Sequence, residues 1–404
     1  MSDQILPEIV SNILSRCDVA TIGRCKCISK QWRGIIDSTH FMKLQLDYAS
    51  NINSAAVFFK DLFDETLFQA PMRNLDMRSV QTISQVKPFS LVGSCNGLLL
   101  LHKNQTQDFC IMNPLTKKHV YLPYLLPSSF LGTGRNNDAC GNALGYGFGY
   151  DCVNDDYKVV RFVQELDHAK TGFLRTEMTV TCVKKRATIL DQIPYFMNPS
   201  ANGFFAGGTL HWLMAKYNHD NVHLIVGYDL ATNKIRELPL PDLKGERKDL
   251  KFEGSTTIGC RVGLGLLRTW LSISTNYGNG MTVGLWAMKE YGVEESWTKL
   301  FSFSLARMSC GLVRPLGLSE NDNIVLLELD WKRLVWYDRK AKDVTNLVHK
   351  ALGGAMVCFR TIAPLPSAEN GPTDEKNQFS QDQNRPTRKK KRDEFLSKGF
   401  KLKL

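Results

Sequence analysis

Long apolar runs are missing from this sequence: no stretch of about eighteen apolar residues occurs, so no helical membrane span is expected. The N-terminus has no basic start followed by an apolar run, so no secretory signal is expected either. The cysteines form no framework. There are eleven, an odd number, and they are scattered; Cys25 and Cys27 are the only close pair, and C-x-C alone does not give zinc-ribbon spacing. They read as reduced thiols of an intracellular protein, most of them small core residues. Catalytic constellations are also lacking. Gly93-Ser94-Cys95-Asn96-Gly97 imitates a nucleophile elbow, but Leu98 to Leu101 follows as a strand where an elbow needs a helix, so the stretch reads as a turn entering a buried strand. His219 and His223 are four apart, yet Asn218, Asp220 and Asn221 make their segment a loop, and no third ligand is near. Gly145, Gly147 and Gly149 alternate without the helix and later acid of a phosphate fingerprint; they strip the bulk from one strand face, as suits inner strands crowded around an axis. No metal, cofactor or catalytic residue is assigned.

Charge of one sign is present, but in one place. From Arg385 to Leu404 nine Lys/Arg stand against two Asp/Glu, a surplus of seven that leaves only +4 of the net +11 for the preceding 384 residues. The body is therefore close to neutral, and nucleic-acid binding by the folded body is not expected. With 43% hydrophobic and 23% charged residues, the chain has the composition of a globular protein large enough for a sizeable core.

The first forty residues are helical in pattern. Leu6, Ile9, Val10, Ile13 and Leu14 recur at the spacing of one helix face, and Pro7 sits where a first-turn proline is tolerated. Asp18 is placed to cap a second helix carrying Ile22, Cys25 and Ile28, and Ser29 a third carrying Trp32, Ile35 and Ile36. Such a module has a weak core and leans on the rest of the chain or on a partner. Leu6-Pro7, Ile13-Leu14-Ser15-Arg16, Arg24 to Arg33 and Phe41, in that order, resemble an F-box, the motif that docks a substrate receptor onto the Skp adaptor of a cullin-RING ubiquitin ligase. The resemblance implies adaptor contacts at Leu6, Pro7, Ile9, Ile13, Leu14, Ile22, Cys25, Ile28 and Trp32. Cys17, Gly23 and Ile28 depart from the usual pattern; Gly23 costs the second helix about 1 kcal/mol relative to alanine, so that helix is expected to form on docking.

From about residue 90 to 362 the texture changes to short apolar runs separated by Gly, Asn, Asp and Pro, the pattern of many short strands. Three units repeat in kind: 97–101 with 112–117 and 120–123, 208–213 with 228–234 and 235–239, and 323–329 with 336–342 and 344–347. Each is an apolar strand, a second strand ending in Asn or Asp, a polar turn and a third strand; Asn and Asp suit the turn by bonding the backbone two residues on and tolerating left-handed geometry. Two less regular units fall at 146–183 and 262–303. Repetition at this spacing suggests a β-propeller with kelch-like blades, with a β-sandwich as the alternative. Trp212, Trp286, Trp297 and Trp336 read as blade core, or in part as partner anchors. Gly93 to Leu99, Asn113-Pro114-Leu115-Thr116, Gly147 to Asp151 with Asp156 to Arg161, and Ser296 to Lys299 resemble the plant F-box-associated domain.

The expected organisation is thus α+β and multidomain: a helical F-box over 1–46, a linker with first strands over 47–89, an all-β kelch-like domain over 90–362, and a disordered tail over 363–404. Within that tail, Arg388, Lys389, Lys390, Lys391 and Arg392 read as a nuclear import signal, giving a cytoplasmic and nuclear location. The ending RDEFLSKGFKLKL resembles the plant F-box subgroup named for constitutive expression of pathogenesis-related genes. That resemblance implies a non-catalytic receptor that recruits protein substrates, intracellular nucleotide-binding leucine-rich-repeat immune receptors among them, for ubiquitination and degradation, and so damps defence. Two alternatives stand beside it: a propeller enzyme with acids or a His–acid pair on the inner strand ends, and a nuclear scaffold whose basic tail contacts nucleic acid.

Overall fold

The computed structural model describes residues 6–51, 55–63, 66–72, 80–84, 89–103, 108–122, 143–167, 172–185, 188–197, 202–216, 223–241, 261–277, 282–305, 310–319, 322–347 and 352–366. Four helices come first: α1 (Pro7–Ser15), α2 (Val19–Cys25), α3 (Lys30–Ile36) and α4 (Thr39–Asn51). Among the described residues every later element is a strand, except for one short 3-10 turn at Glu294–Ser296. Among the described residues the strands form six antiparallel sheets, the blades of a β-propeller.

Blade 2 is β4 (Phe89–Cys95), β5 (Leu98–Lys103), β6 (Asp108–Met112) and β7 (His119–Leu122); blade 3 is β8 (Ala143–Asp151), β9 (Asp156–Asp167), β10 (Gly172–Cys182) and β11 (Thr188–Ile193). Blade 4 has a divided inner strand, with β12 (Tyr195–Met197) and β13 (Phe204–Ala206) both pairing β14 (Thr209–Lys216), followed by β15 (His223–Asp229) and β16 (Lys234–Leu238). Blade 5 is β17 (Arg261–Leu267), β18 (Trp270–Tyr277), β19 (Thr282–Met288) and β20 (Trp297–Ser304); blade 6 is β21 (Val313–Leu318), β22 (Ile324–Leu329), β23 (Arg333–Asp338) and β24 (Asp343–Asn346). Blade 1 is made from both parts of the chain: β1 (Ala55–Asp61), β2 (Leu67–Pro71) and β3 (Gln81–Ser84) take β25 (Leu352–Phe359) as their inner strand, with Ala55 opposite Phe359. The propeller therefore begins at β1, and the boundary placed near residue 90 falls between blades 1 and 2. The first three strands belong to a sheet whose inner strand is contributed from some 300 residues away.

The turns follow the chemistry of the repeat. Asn113, Asp151, Asp229 and Asp338 each accept, through Oδ1, the backbone N–H groups two and three residues on. The left-handed residue is the fourth one along: Lys117, Asp155, Asn233 and Lys342 have φ of 57°, 50°, 57° and 53°. The Asx residue holds the turn; another side chain carries the strain. Asn96 and Gly97, at φ 51° and 78°, make the expected tight turn into β5.

Blades pack face to face through aromatic residues. Trp212 lies edge-on to Phe162, and its indole N–H donates to the Tyr146 carbonyl at 3.0 Å. A Cβ on Gly147 would meet Trp212, and one on Gly149 would meet Leu230 and Phe205. Gly147 and Gly149 thus make room for the neighbouring blade. Lys158, buried, pairs with Asp151 at 2.9 Å and reaches across to the Leu230 carbonyl and Asn233 Oδ1 of blade 4. At the closing seam, buried Arg314 of blade 6 donates to Glu328 and, at 2.7 Å, to the carbonyl of Ala355 in β25, whose own N–H donates to Glu328 Oε1 at 2.6 Å.

Candidate functional site

α1 turns apolar side chains in two directions. Val10 and Leu14 are buried with Ile22 and Cys25 of α2, Ile36 of α3 and Phe41 of α4. Leu6, Ile9 and Ile13, at 61%, 48% and 58% exposure, line a different side of the same helix, one turn apart. Pro7 is exposed, Ile28 between α2 and α3 is 63% exposed, and Trp32 is half-buried. The nine residues singled out in sequence therefore divide. Leu14, Ile22 and Cys25 hold the helices together, whereas Leu6, Pro7, Ile9, Ile13 and Ile28 face solvent. The spacing 6, 9, 10, 13, 14 reads as one face in sequence, but it is the sum of an inner and an outer face.

The helix starts are built as expected. Asp18 accepts the Thr21 N–H at 2.9 Å and the Thr21 hydroxyl at 2.6 Å, and these bonds, the hydroxyl's first, hold its carboxyl below the ordinary carboxylate value. Ser29 accepts the Trp32 N–H at 3.0 Å. α2 runs through Gly23, with Ile22 wholly buried and Lys26 paired with Asp37 of α3's C-cap at 2.5 Å. What the module leans on is the propeller: Ile362, beyond β25, is buried among the helices, and Leu115 of the blade 2 turn packs against them.

A second concave feature is a cavity of about 660 Å³ along the propeller axis, walled in part by Phe204, Trp270, Arg314, Met356 and Phe359. Arg314 lies 4.2 Å from the Trp331 ring and is engaged by Glu328 and Ala355. No Asp, Glu or His is among the described residues lining this cavity. Cys95, at the cavity wall, is buried; burial first, and Cys358 beside it second, push its thiol well up, the reverse of an activated nucleophile. The described cysteines are free thiols, six of them buried. His219 lies outside the described residues, and no group of three metal-ligating side chains occurs among those described.

Other motif residues have structural duties. Trp212 and Trp297 are buried, while Trp286 and Trp336 are half-buried against blade cores. Sequence reasoning missed Ile362 and the second role of Asn113; the only signal for the latter was an Asn where the sister turns carry Asp. Arg388, Lys389, Lys390, Lys391 and Arg392 lie outside the described residues. No helix among the described residues is long and apolar enough to cross a membrane.

Comparison with known proteins agrees with this geometry. Residues 4–44 match the F-box domain family, and residues 49–357 match the F-box associated beta propeller domain family. F-box protein CPR1 of Arabidopsis thaliana is 28% identical, with 98% of each chain covered, and the F-box/kelch-repeat protein At3g23880 of the same plant is 29% identical over 80% of this chain and 84% of its own. Among solved structures, the nidogen/laminin complex aligns with a TM-score of 0.43 at 8% identity, covering 76% of this chain and 99% of that one. Helices, blades and motif order together place the chain in the family of F-box proteins that carry an F-box associated beta propeller domain.

Proposed function

We propose that this protein is the substrate-recognition subunit of a Skp–cullin–F-box ubiquitin ligase, in which the helices dock the Skp adaptor and the propeller binds a protein substrate. The observation that carries the reading is the outer face of α1: Leu6, Ile9 and Ile13 remain exposed on a module whose inner face is already covered by its own helices and Ile362. An exposed row of large aliphatic side chains costs solvation until something covers it, at about 25 cal/mol per Å². Pro7 and Ile28 are exposed as well, while Trp32 is half-buried against the inner core. Ubiquitin transfer is left to other subunits, and the receptor acts by proximity, raising the effective concentration of a substrate lysine near the loaded conjugating enzyme.

The test is copurification with a plant Skp adaptor. The intact chain should capture the adaptor stoichiometrically, and an Ile9→Asp, Ile13→Asp double variant should lose capture while melting at the parent temperature. Capture that survives both changes would remove the outer face from the interface; an intact, folded chain that takes no adaptor would end the receptor reading.

The finer assignment rests on likeness to CPR1 over nearly the whole chain and on the ending RDEFLSKGFKLKL. Its substrates are intracellular nucleotide-binding leucine-rich-repeat immune receptors, and its role is to restrain plant defence. Receptor abundance should fall when the protein is overexpressed and recover on proteasome inhibition; receptors that turn over at the same rate with and without it would refute this. The basic run Arg388 to Arg392 directs part of the pool to the nucleus. A fluorescent fusion lacking residues 385–404 should then lose its nuclear share.

A further inference from the structure

We infer that residues 360–363 form a latch that makes the folded F-box conditional on closure of the propeller, so that an open ring does not present the adaptor-docking face. The docking consequence rests on the function proposed above; the latch itself does not.

The segment follows β25 and alternates in facing. Thr361, almost fully buried, donates through Oγ1 to the Asn96 carbonyl at 3.0 Å, and Ala363 joins the core shared by blades 2 and 3. Ile362, between them, enters the helices with Val10, Leu14, Ile22, Cys25, Ile36 and Phe41. One residue of the last-made strand region therefore completes the core of the first-made module.

Asn113 fixes this arrangement. Its Oδ1 caps its own turn, while its Nδ2 donates to the carbonyls of Thr361 at 3.2 Å and Ala363 at 2.9 Å. The three sister turns carry Asp at that position, where only an acceptor is needed. Here the turn requires a donor as well, and among the four only this residue is an amide. An aspartate would keep the cap and set an oxygen against two carbonyls. Gly97 is part of the same fit, since a Cβ there would collide with Thr361. The other end of the module is tied to the same seam: α4 ends at Asn51, β1 begins at Ala55, and Ala55 pairs Phe359. An F-box of four short helices so depends on contacts that exist only once β25 is home.

Hydrogen exchange on the full chain, without adaptor, reads this directly. Asn113→Asp, which keeps the turn, and Ile362→Ala, which keeps the seam bonds, should each speed exchange in α1, α2 and α3 roughly tenfold while β9, β14 and β18 stay at the parent rate. Unchanged protection of the helices in Ile362→Ala would overturn the inference, as would an equal loss across blades 3 to 5. Because no adaptor is used, a chain that failed to capture the Skp adaptor would sink the docking role and leave the latch standing.

Discussion

His211 shows how burial sets the chemistry of a single residue. It is fully buried in β14, with Nδ1 3.1 Å from the Phe204 carbonyl and Nε2 2.7 Å from the hydroxyl of Tyr291, which lies beyond β19 in blade 5. Burial lowers its pKa from 6.5 to about 4, and the bond to Phe204 opposes this only in part. The folded value lies below the unfolded one, so the stability held by the neutral ring is complete above about pH 6.5 and is lost as pH falls towards 4. The gap corresponds to about 3 kcal/mol. Denaturant unfolding between pH 7 and 4 should show that loss, and His211→Gln should flatten it; an unaltered slope in the variant would assign the acid sensitivity elsewhere. At the same scale, Gly23 in α2 has open space where a Cβ would sit. Gly23→Ala should therefore stabilise by about 0.5–1 kcal/mol, measured as a higher midpoint, because it lowers the entropy of the unfolded chain without a clash.

Among the elements, α1 carries a buried and an exposed apolar face. Leu14 is 4% exposed and Ile13 58%. Leu14→Ala should cost about 2–5 kcal/mol through lost burial and a cavity, whereas Ile13→Asp should change the melting temperature little. Thermal melts of the two variants decide this, and equal destabilisation would mean that α1 has no free face. The Asx turns offer a parallel case. Asp229 holds two N–H groups at 3.0 and 2.8 Å, and these bonds, that of Thr232 foremost, keep its carboxyl below the ordinary value despite burial. Asp229→Ala should cost about 1–2 kcal/mol by leaving those donors unpaired, with the loss confined to blade 4 in hydrogen exchange.

For the whole molecule, the decisive contact is the seam. Arg314 and Glu328 have 6% and 1% side-chain exposure, and their network spans blade 6 and β25. Glu328→Gln leaves a buried guanidinium without its counter-charge and should cost about 3–5 kcal/mol, whereas a double Arg314→Met, Glu328→Met change should recover most of it. Equal losses in the single and double variants would argue that shape, not charge, matters there. A ring closed by its first and last strands also implies slow folding, since β25 joins β1 only after the long loop between them has closed.

Much of this architecture was legible in the residues. The motif of the N-terminal helices, the capping by Asp18 and Ser29, the turn at Asn96-Gly97 and five of the six blades follow from spacing and turn chemistry, because each depends on neighbours in the chain. Blade 1 did not, because one of its three strand pairings joins residues 55–59 to residues 355–359, and no local pattern reports a partner so distant. The division of α1 into a buried and an exposed face was likewise hidden, since periodicity marks apolar positions and not what covers them. Composition and order determined the family of elements and their sequence. Only the tertiary structure decided which apolar residues are core, which carbonyls Asn113 must satisfy, and which side of α1 stays exposed, because burial is a property of surfaces brought together and not of the chain that carries them.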